Sequence, residues 1–231
     1  MTPTEGPRRP RRRSPSPNAL LFDFDGVIAD TENHHVAAWQ RTFALMGWTI
    51  DDAACSRSME LDDRSFLAEV FARRKIKDGD VDGWVNRKQE LTLSLLRDTP
   101  RVYPGVAALV ERLHGLIPLA VVTTTWRANV EAVLGAAGLE KSFDLVVGKE
   151  DVAATKPDPE CYRVAVERLG VAPADAVALE DSPSGLAAAR GAGVVAVAVG
   201  HRRGQGDWVG PSPYLPDLRA TDDVLAALRL R

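Results

Sequence analysis

Five short apolar runs punctuate the chain: ALLFDF (19–24), LAVVT (119–123), FDLVV (143–147), AVALE (176–180) and VVAVAV (194–199). Runs of this length without strict alternation predict strands buried on both faces of a parallel sheet. Helical patterns lie between them. VAALVERLHG, ANVEAVLGAAG and ECYRVAVERLG close on Gly115, Gly138 and Gly170, the residue type that most readily takes the left-handed conformation ending a helix. Strands and helices alternating at this spacing predict an α/β fold with helices on both sides of the sheet.

The stretch from about Asp30 to Asp98 breaks that alternation and contains no convincing strand. HHVAAWQRTFALMG sets Val36, Trp39, Phe43 and Met46 on one stripe, and DRSFLAEVFARRK and WVNRKQELTLSLL read as two more helices. The chain returns at VYPGVAAL, where Pro104 is expected to open the next helix. The expected organisation is a tail over 1–17, a Rossmann-like core over 18–29 and 100–231, and an inserted all-α unit over 30–99. No internal repeat is visible.

Charge and composition narrow the partners. Within a formal net charge of −3, residues 1–18 carry five arginines and Glu5, so the remainder is acidic at −7. An acidic body argues against nucleic acid as the main partner. The Arg- and Pro-rich tail has little to bury and reads as a solvated segment; it lacks the apolar stretch of a secretory signal. No run approaches the ~18 apolar residues of a membrane span. Cys55 and Cys161 form no zinc-like cluster and suit a reducing compartment, so a cytoplasmic location is expected. Monomer or oligomer stays open. HRRGQG, with Arg202, Arg203, Gly204 and Gly206, reads as a flexible loop without assigned function.

Four polar clusters stand at or just beyond predicted strand ends, the edge at which open α/β sheets bind ligands. FDFDGV sets Asp23 and Asp25 two residues apart, followed by Gly26. Carboxylates so close repel unless a cation lies between them, and a hard divalent ion such as Mg²⁺ takes oxygen ligands. One can then attack phosphorus while the other handles a proton; the pair equally suits a solvated turn with a helix-capping Asp. Thr123, Thr124 and Thr125 precede a helix, where hydroxyls and amides make an anion pocket or merely cap. Lys156, in the proline-restricted loop ATKPDPE, can neutralise phosphate oxygens or stand in solvent. Glu180 ends AVALE and Asp181 follows it; adjacent acids suit metal ligation or a charged loop. Ser182 and Pro183 suit the cap and first position of a helix.

The order FDFDGV, TTT, TKPDP, LEDSPSG, each after an apolar run, resembles the haloacid dehalogenase-like superfamily from about residue 18 onward. DGVIADTE, YPGV, KPDPE and EDSPSG are most similar to its β-phosphoglucomutase-like and CbbY-like branch, whose α-helical cap is inserted after the first motif. The resemblance implies Asp23 as nucleophile, forming an aspartyl-phosphate, and Asp25 as general acid and base. It also implies Thr123 and the Thr124 backbone on the phosphoryl group, and Lys156 as the third-motif lysine. Mg²⁺ would be held by Asp23, the Asp25 carbonyl, Asp181 and Glu180. Thr31 and His35 match a hinge Thr and a proton-relay His; Trp39 also fits the pattern, and Lys88 resembles a cap lysine that meets substrate. Haloacid dehalogenases proper lack the second aspartate and the metal site.

The departures fall in the cap. The mutases carry a glycine-bearing loop whose Arg grips a second phosphate. Here SRSMELDDRSF places Ser58 at the glycine and Leu61 at the Arg, with Arg57 or Arg64 as substitutes. Trp126 is bulkier than the pattern expects, whereas the TTT run itself matches CbbY-like phosphatases. The expectation is an Mg²⁺-dependent phosphatase of a small phosphometabolite, most simply a sugar phosphate. A β-phosphoglucomutase-type isomerase is the alternative, and a non-catalytic binding protein of this fold would not need Asp23, Asp25, Lys156 and Asp181 together.

Overall fold

The protein's structure, a computed structural model, describes residues 17–51, 55, 58, 61–201 and 212–230. The tail up to residue 16, Arg57, and the loop residues Arg202, Arg203, Gly204 and Gly206 lie outside the described residues. Among the described residues, strand β1 (Ala19–Phe22) is followed by helices α1 (Glu32–Leu45), α2 (Asp63–Arg73) and α3 (Val81–Asp98). Then come α4 (Val106–Leu113), β2 (Leu119–Val122), α5 (Arg127–Ala136), β3 (Leu145–Val147), α6 (Glu160–Leu169) and β4 (Ala176–Glu180). The chain ends with α7 (Pro183–Gly191), β5 (Val195–Val199), β6 (Tyr214–Leu215) and α8 (Thr221–Leu228).

The strands form one sheet in the order β3-β2-β1-β4-β5-β6, and every pairing is parallel. β1 shows why its residues are apolar throughout. Leu20 and Phe22 enter one core with Leu109 of α4, Val130 of α5 and Val224 of α8; Ala19 and Leu21 enter the other with Tyr162 of α6 and Leu186 of α7. A strand covered on both faces has no solvent side on which to place polar residues. Because β2 and β4 flank β1 on opposite sides, the sheet's C-terminal edge opens a crevice at β1, the topological switch point where ligands bind in such folds.

The inserted helices have their own core. Trp39 and Phe43 of α1 stack with ring centres 5.4 Å apart, and Phe66 of α2 meets Trp39 edge-on at 5.0 Å. Val36 and Met46 pack partly buried against this cluster, completing the stripe read from the sequence. The two connections to the sheet run side by side: the Asp30 amide donates to the Arg101 carbonyl at 3.0 Å and the Tyr103 amide to the Ile28 carbonyl at 2.9 Å. Helix α3 also touches α5, where Gln89 and Asn129 exchange amide hydrogen bonds of 2.7 and 3.3 Å.

Several expected boundaries move. β1 stops at Phe22 and β3 starts at Leu145, because the polar residues in ALLFDF and FDLVV belong to turns. Helix α3 begins at Val81, capped by Asp80, which accepts from the Gly83 amide at 2.8 Å. Pro104 does not open α4; it precedes the N-cap, Gly105, whose φ is +93°. The sequence pattern predicts no element at β6 or α8; a two-residue strand makes no apolar run.

Gly105 brings the returning chain hard against the C-terminal segment: a Cβ there would lie 2.0 Å from the Leu218 carbonyl oxygen. Gly105→Ala adds that clash to the ~1–2 kcal/mol cost of left-handed backbone in a residue with Cβ. Its urea midpoint is expected to drop by an amount equivalent to about 3 kcal/mol; an unchanged midpoint would show that this approach is dispensable.

Candidate active site

Past Phe22 the chain keeps alternating, so Phe24 turns into the core, fully buried, while Asp23 and Asp25 border the cleft at the sheet edge. A tight turn fixes them. Gly26, at φ +84°, donates its amide to the Ala29 carbonyl at 2.9 Å, and the Ile28 and Ala29 amides both donate to the Phe24 carbonyl at 2.9 Å. The Asp23 amide donates to the Leu179 carbonyl at 2.9 Å, which ties the turn to β4.

At the end of β2, buried Thr123 accepts from the Thr125 amide through its hydroxyl at 3.0 Å. Thr125 passes its own hydroxyl hydrogen to Asp25 Oδ2 at 2.7 Å, and Thr31 donates to Asp25 Oδ1. Asp25 is therefore gripped from the sheet side and from the first inserted helix. Thr31 spends its hydroxyl on this bond while Thr124 lines the cleft.

Lys156 sits at the centre. Its Nζ donates to Asp23 Oδ1 at 2.8 Å, to Glu180 Oε1 at 2.6 Å and to the Val122 carbonyl at 2.9 Å, joining the ends of β1, β4 and β2. Burial disfavours the ammonium, but the Asp23 and Glu180 carboxylates outweigh it and hold its pKa above the usual lysine value. Glu180, fully buried, also accepts from the Tyr162 hydroxyl at 2.5 Å. Burial, then the nearby Asp23 charge, pushes Glu180 up to about 8. Asp23 is raised chiefly by burial, against the pull of Lys156.

Carboxylate oxygens of Asp23, Glu180 and Asp181 all come within 4.8 Å of one another, and all three residues are buried. Acids crowded like this, with two held above their ordinary pKa, fit a hard divalent cation such as Mg²⁺. Asp25, expected to reach the metal through its backbone carbonyl, keeps its carboxylate outside that group, committed to Thr31 and Thr125. Gly185, at the start of α7, makes room for the group: a Cβ there would fall 1.8 Å from Glu180 Oε2. Ser182 caps that helix by accepting the Gly185 amide at 3.0 Å.

The inserted helices roof a cleft of about 330 Å³ over these groups. His35 of α1 places Nε2 3.9 Å from Asp25 Oδ1, too far for a hydrogen bond. Lys88 of α3, buried, donates to His35 Nδ1 at 2.9 Å and to both oxygens of Asp63 at 2.9 and 3.0 Å. An ammonium has no acceptor, so His35 Nδ1 accepts and its proton resides on Nε2, facing Asp25. Burial and the Lys88 charge pull His35 down to about 3, so it stays neutral. His34 turns away to the Thr99 carbonyl at 2.8 Å, and Trp39 is core. Ser58 is buried and donates to the Cys55 carbonyl at 2.6 Å; Leu61 lines the cleft; Arg64 faces outward to Asp82 at 3.0 Å. Trp126, the N-cap residue of α5, lines the cleft with the Lys149 ammonium 5.2 Å from its ring centre.

Tyr162, Asp63 and Gly185 escaped the sequence reading as site residues. Thr125 was named in the threonine run as part of an anion pocket, but its bond to Asp25 was not expected. Gly185 stood inside the quoted LEDSPSG motif. Tyr162 and Asp63 had none, since each looks like an ordinary helical position until the sheet brings Glu180, or the inserted helices bring Lys88, beside it.

Residues 20–199 match the family described as haloacid dehalogenase-like hydrolase. Fructose-1-phosphate phosphatase YqaB of Escherichia coli is 34% identical over 180 residues, covering 78% of this chain and 95% of its own. The crystal structure of CbbY from Rhodobacter sphaeroides in complex with phosphate superposes with a TM-score of 0.79 at 33% identity, over 93% of this chain and 100% of that one. A variant of that CbbY crystallised with xylulose-(1,5)bisphosphate is similar at 32% identity and a TM-score of 0.75, over 88% and 95% of the two chains.

Two expectations follow from the acidic group. Tyr162→Phe removes one of the donors that orient Glu180, so Mg²⁺ affinity by titration calorimetry should fall about tenfold; unchanged affinity would mean Lys156 alone fixes that carboxylate. Because Glu180 holds its proton up to about pH 8, the cation must displace it below that pH. Mg²⁺ affinity should rise between pH 6 and 8 and flatten above, with proton release visible in buffers of different ionisation enthalpy. A pH-independent affinity would contradict it.

Proposed function

Because this chain belongs to the haloacid dehalogenase-like hydrolase family, we propose that it is a phosphoric monoester hydrolase that removes phosphate from a small sugar phosphate, using Mg²⁺ and a phosphoryl group carried on Asp23. The observation that carries the reading is the convergence of Asp23, Glu180, Asp181, Lys156 and the threonine run at the ends of three adjacent strands.

Asp23 is the attacking group: its carboxylate oxygen forms the bond to phosphorus as the bond to the sugar oxygen breaks. Lys156 lies against that carboxylate and neutralises charge on the transferring group, and the Thr123 hydroxyl with the Thr124 amide holds its oxygens. Asp25 delivers a proton to the leaving sugar oxygen, then takes one from the water that frees phosphate from Asp23. Thr31 and Thr125 aim Asp25, and His35, with its proton on Nε2, faces the same carboxylate. Asp23, Glu180, Asp181 and the Asp25 carbonyl would hold Mg²⁺, which would supply positive charge for phosphate oxygens. The inserted helices act as the cap that excludes bulk water, and the neighbouring connections at Asp30 and Arg101 are the hinge on which it opens.

Asp23→Asn should abolish phosphate release from a sugar-phosphate panel, and Asp25→Asn should slow it about 100-fold or more. Near-normal turnover by D23N would remove the covalent route. Excess EDTA should stop turnover and added Mg²⁺ restore it; full activity in EDTA would rule out the metal.

A further inference from the structure

We propose that the paired side-chain amides of Gln89 and Asn129 form a latch that holds the inserted helices closed over the cleft, and that this latch favours closure equally for every phosphate monoester. The proposal builds on the phosphatase reading, in which those helices open and close over the site.

The place of the pair is the first ground. Among the described residues, α3 against α5 is the most extensive contact between an inserted helix and the core. Gln89 lies near the middle of α3, so about 14 Å of helix separates it from the end that leads into the hinge. The bonds of Asp30 to Arg101 and of Tyr103 to Ile28 lie at the hinge itself, where rotation moves them little. The Gln89–Asn129 pair stands away from that axis and must break when the helices swing out.

Its chemistry is the second ground. Gln89 Nε2 donates to Asn129 Oδ1 at 2.7 Å, and Asn129 Nδ2 donates to Gln89 Oε1 at 3.3 Å. Asn129 is buried, Gln89 is half-buried, and both line the cleft. Each amide satisfies the other when the cap is closed; when it opens, water entering the cleft takes over both bonds. Exchange of this kind leaves a small, reversible bias toward closure. An ion pair at this place would respond to every charge that enters the cleft. A neutral pair does not, so its contribution is common to all substrates.

The latch also joins groups that act on Asp25. Lys88, next to Gln89 on α3, donates to His35 Nδ1 at 2.9 Å, and His35 faces Asp25. Asn129 stands in the first turn of α5, its amide donating to the Trp126 carbonyl at 2.9 Å. That turn directly follows Thr125, which holds Asp25 Oδ2 at 2.7 Å. Gln89 and Asn129 are thus positioning residues: they bring the helix that carries Lys88 to the turn beyond the threonine run. A ligand that binds only the closed form loses apparent affinity as the closed fraction falls, whatever its sugar.

The test uses the full chain with Mg²⁺. Spin labels on Lys77→Cys, exposed between α2 and α3, and on Glu140→Cys, exposed beyond α5, read the distance from cap to core by double electron–electron resonance; Cys55 and Cys161 are buried. Gln89→Ala and Asn129→Ala should each lower the ratio of short to long distances about tenfold, the scale of two neutral hydrogen bonds, and the double variant should lower it no further. KM for fructose 1-phosphate, glucose 6-phosphate and acetyl phosphate should shift by one common factor. Should Asn129→Ala fail to fold, Gln89→Ala decides alone. Label distances unchanged from the parent would overturn the latch. Shifts in KM that differ between the sugars and acetyl phosphate, or that multiply in the double variant, would mark the amides as sugar contacts and overturn it as well. No release from any of the three would overturn the phosphatase reading, while the label distances would still decide the latch.

Discussion

The structure depends on one electrostatic problem: three carboxylates must sit together, out of water, at the edge of a sheet. Asp23, Glu180 and Asp181 come from two separate strand ends and repel one another there. Lys156 makes the arrangement tolerable before any metal arrives, because its ammonium touches both Asp23 and Glu180 and is itself anchored on the Val122 carbonyl. Removing one member of such a buried set leaves uncompensated charge, whereas the complete set is stable but poised to accept a cation. In the proposed mechanism catalytic charge and structural charge are the same charge: Asp23 is held in place by the lysine proposed to neutralise the phosphoryl group it would carry.

The fold can be read as the apparatus that keeps this cluster dry and rigid. Parallel strands with covered faces deliver their C-terminal ends to a common edge, and their apolar composition follows from having no wet side. Details at the edge are then set by close approach. Gly26 lets the chain turn sharply enough to point Asp25 back over the site, and Gly185 leaves space that any side chain would take from Glu180. Tyr162 buries a large ring in the second core and still reaches Glu180 with its hydroxyl, so packing and orientation of the site are coupled through one residue.

Much of this was legible in the sequence, for reasons that differ by residue. Asp23, Thr123, Lys156, Glu180 and Asp181 each follow an apolar run, and the parallel topology converts that shared sequence position into a shared spatial one. Parallel register is what makes such inference work: a residue just past a strand lands at the same edge as every other such residue. No comparable rule governs helix pairs, and the Asp63–Lys88–His35 chain depends on the rotation of three helices about their own axes. The stripe of Trp39 and Phe43 fixed which face of α1 points inward, but not which polar neighbour α3 or α2 would supply. Pro104 misled because its restricted φ suits a helix start; the close approach at Leu218 instead demanded Gly105 as the cap.

The acids of the inserted helices complete the electrostatic logic. Asp63 pairs with Lys88 against the burial that lowers the lysine's pKa, and Lys88, donating to His35 Nδ1, leaves the His35 proton on the nitrogen facing Asp25. A cation that performs this internal service is not available to a ligand. Its positive charge is met within the helices by Asp63.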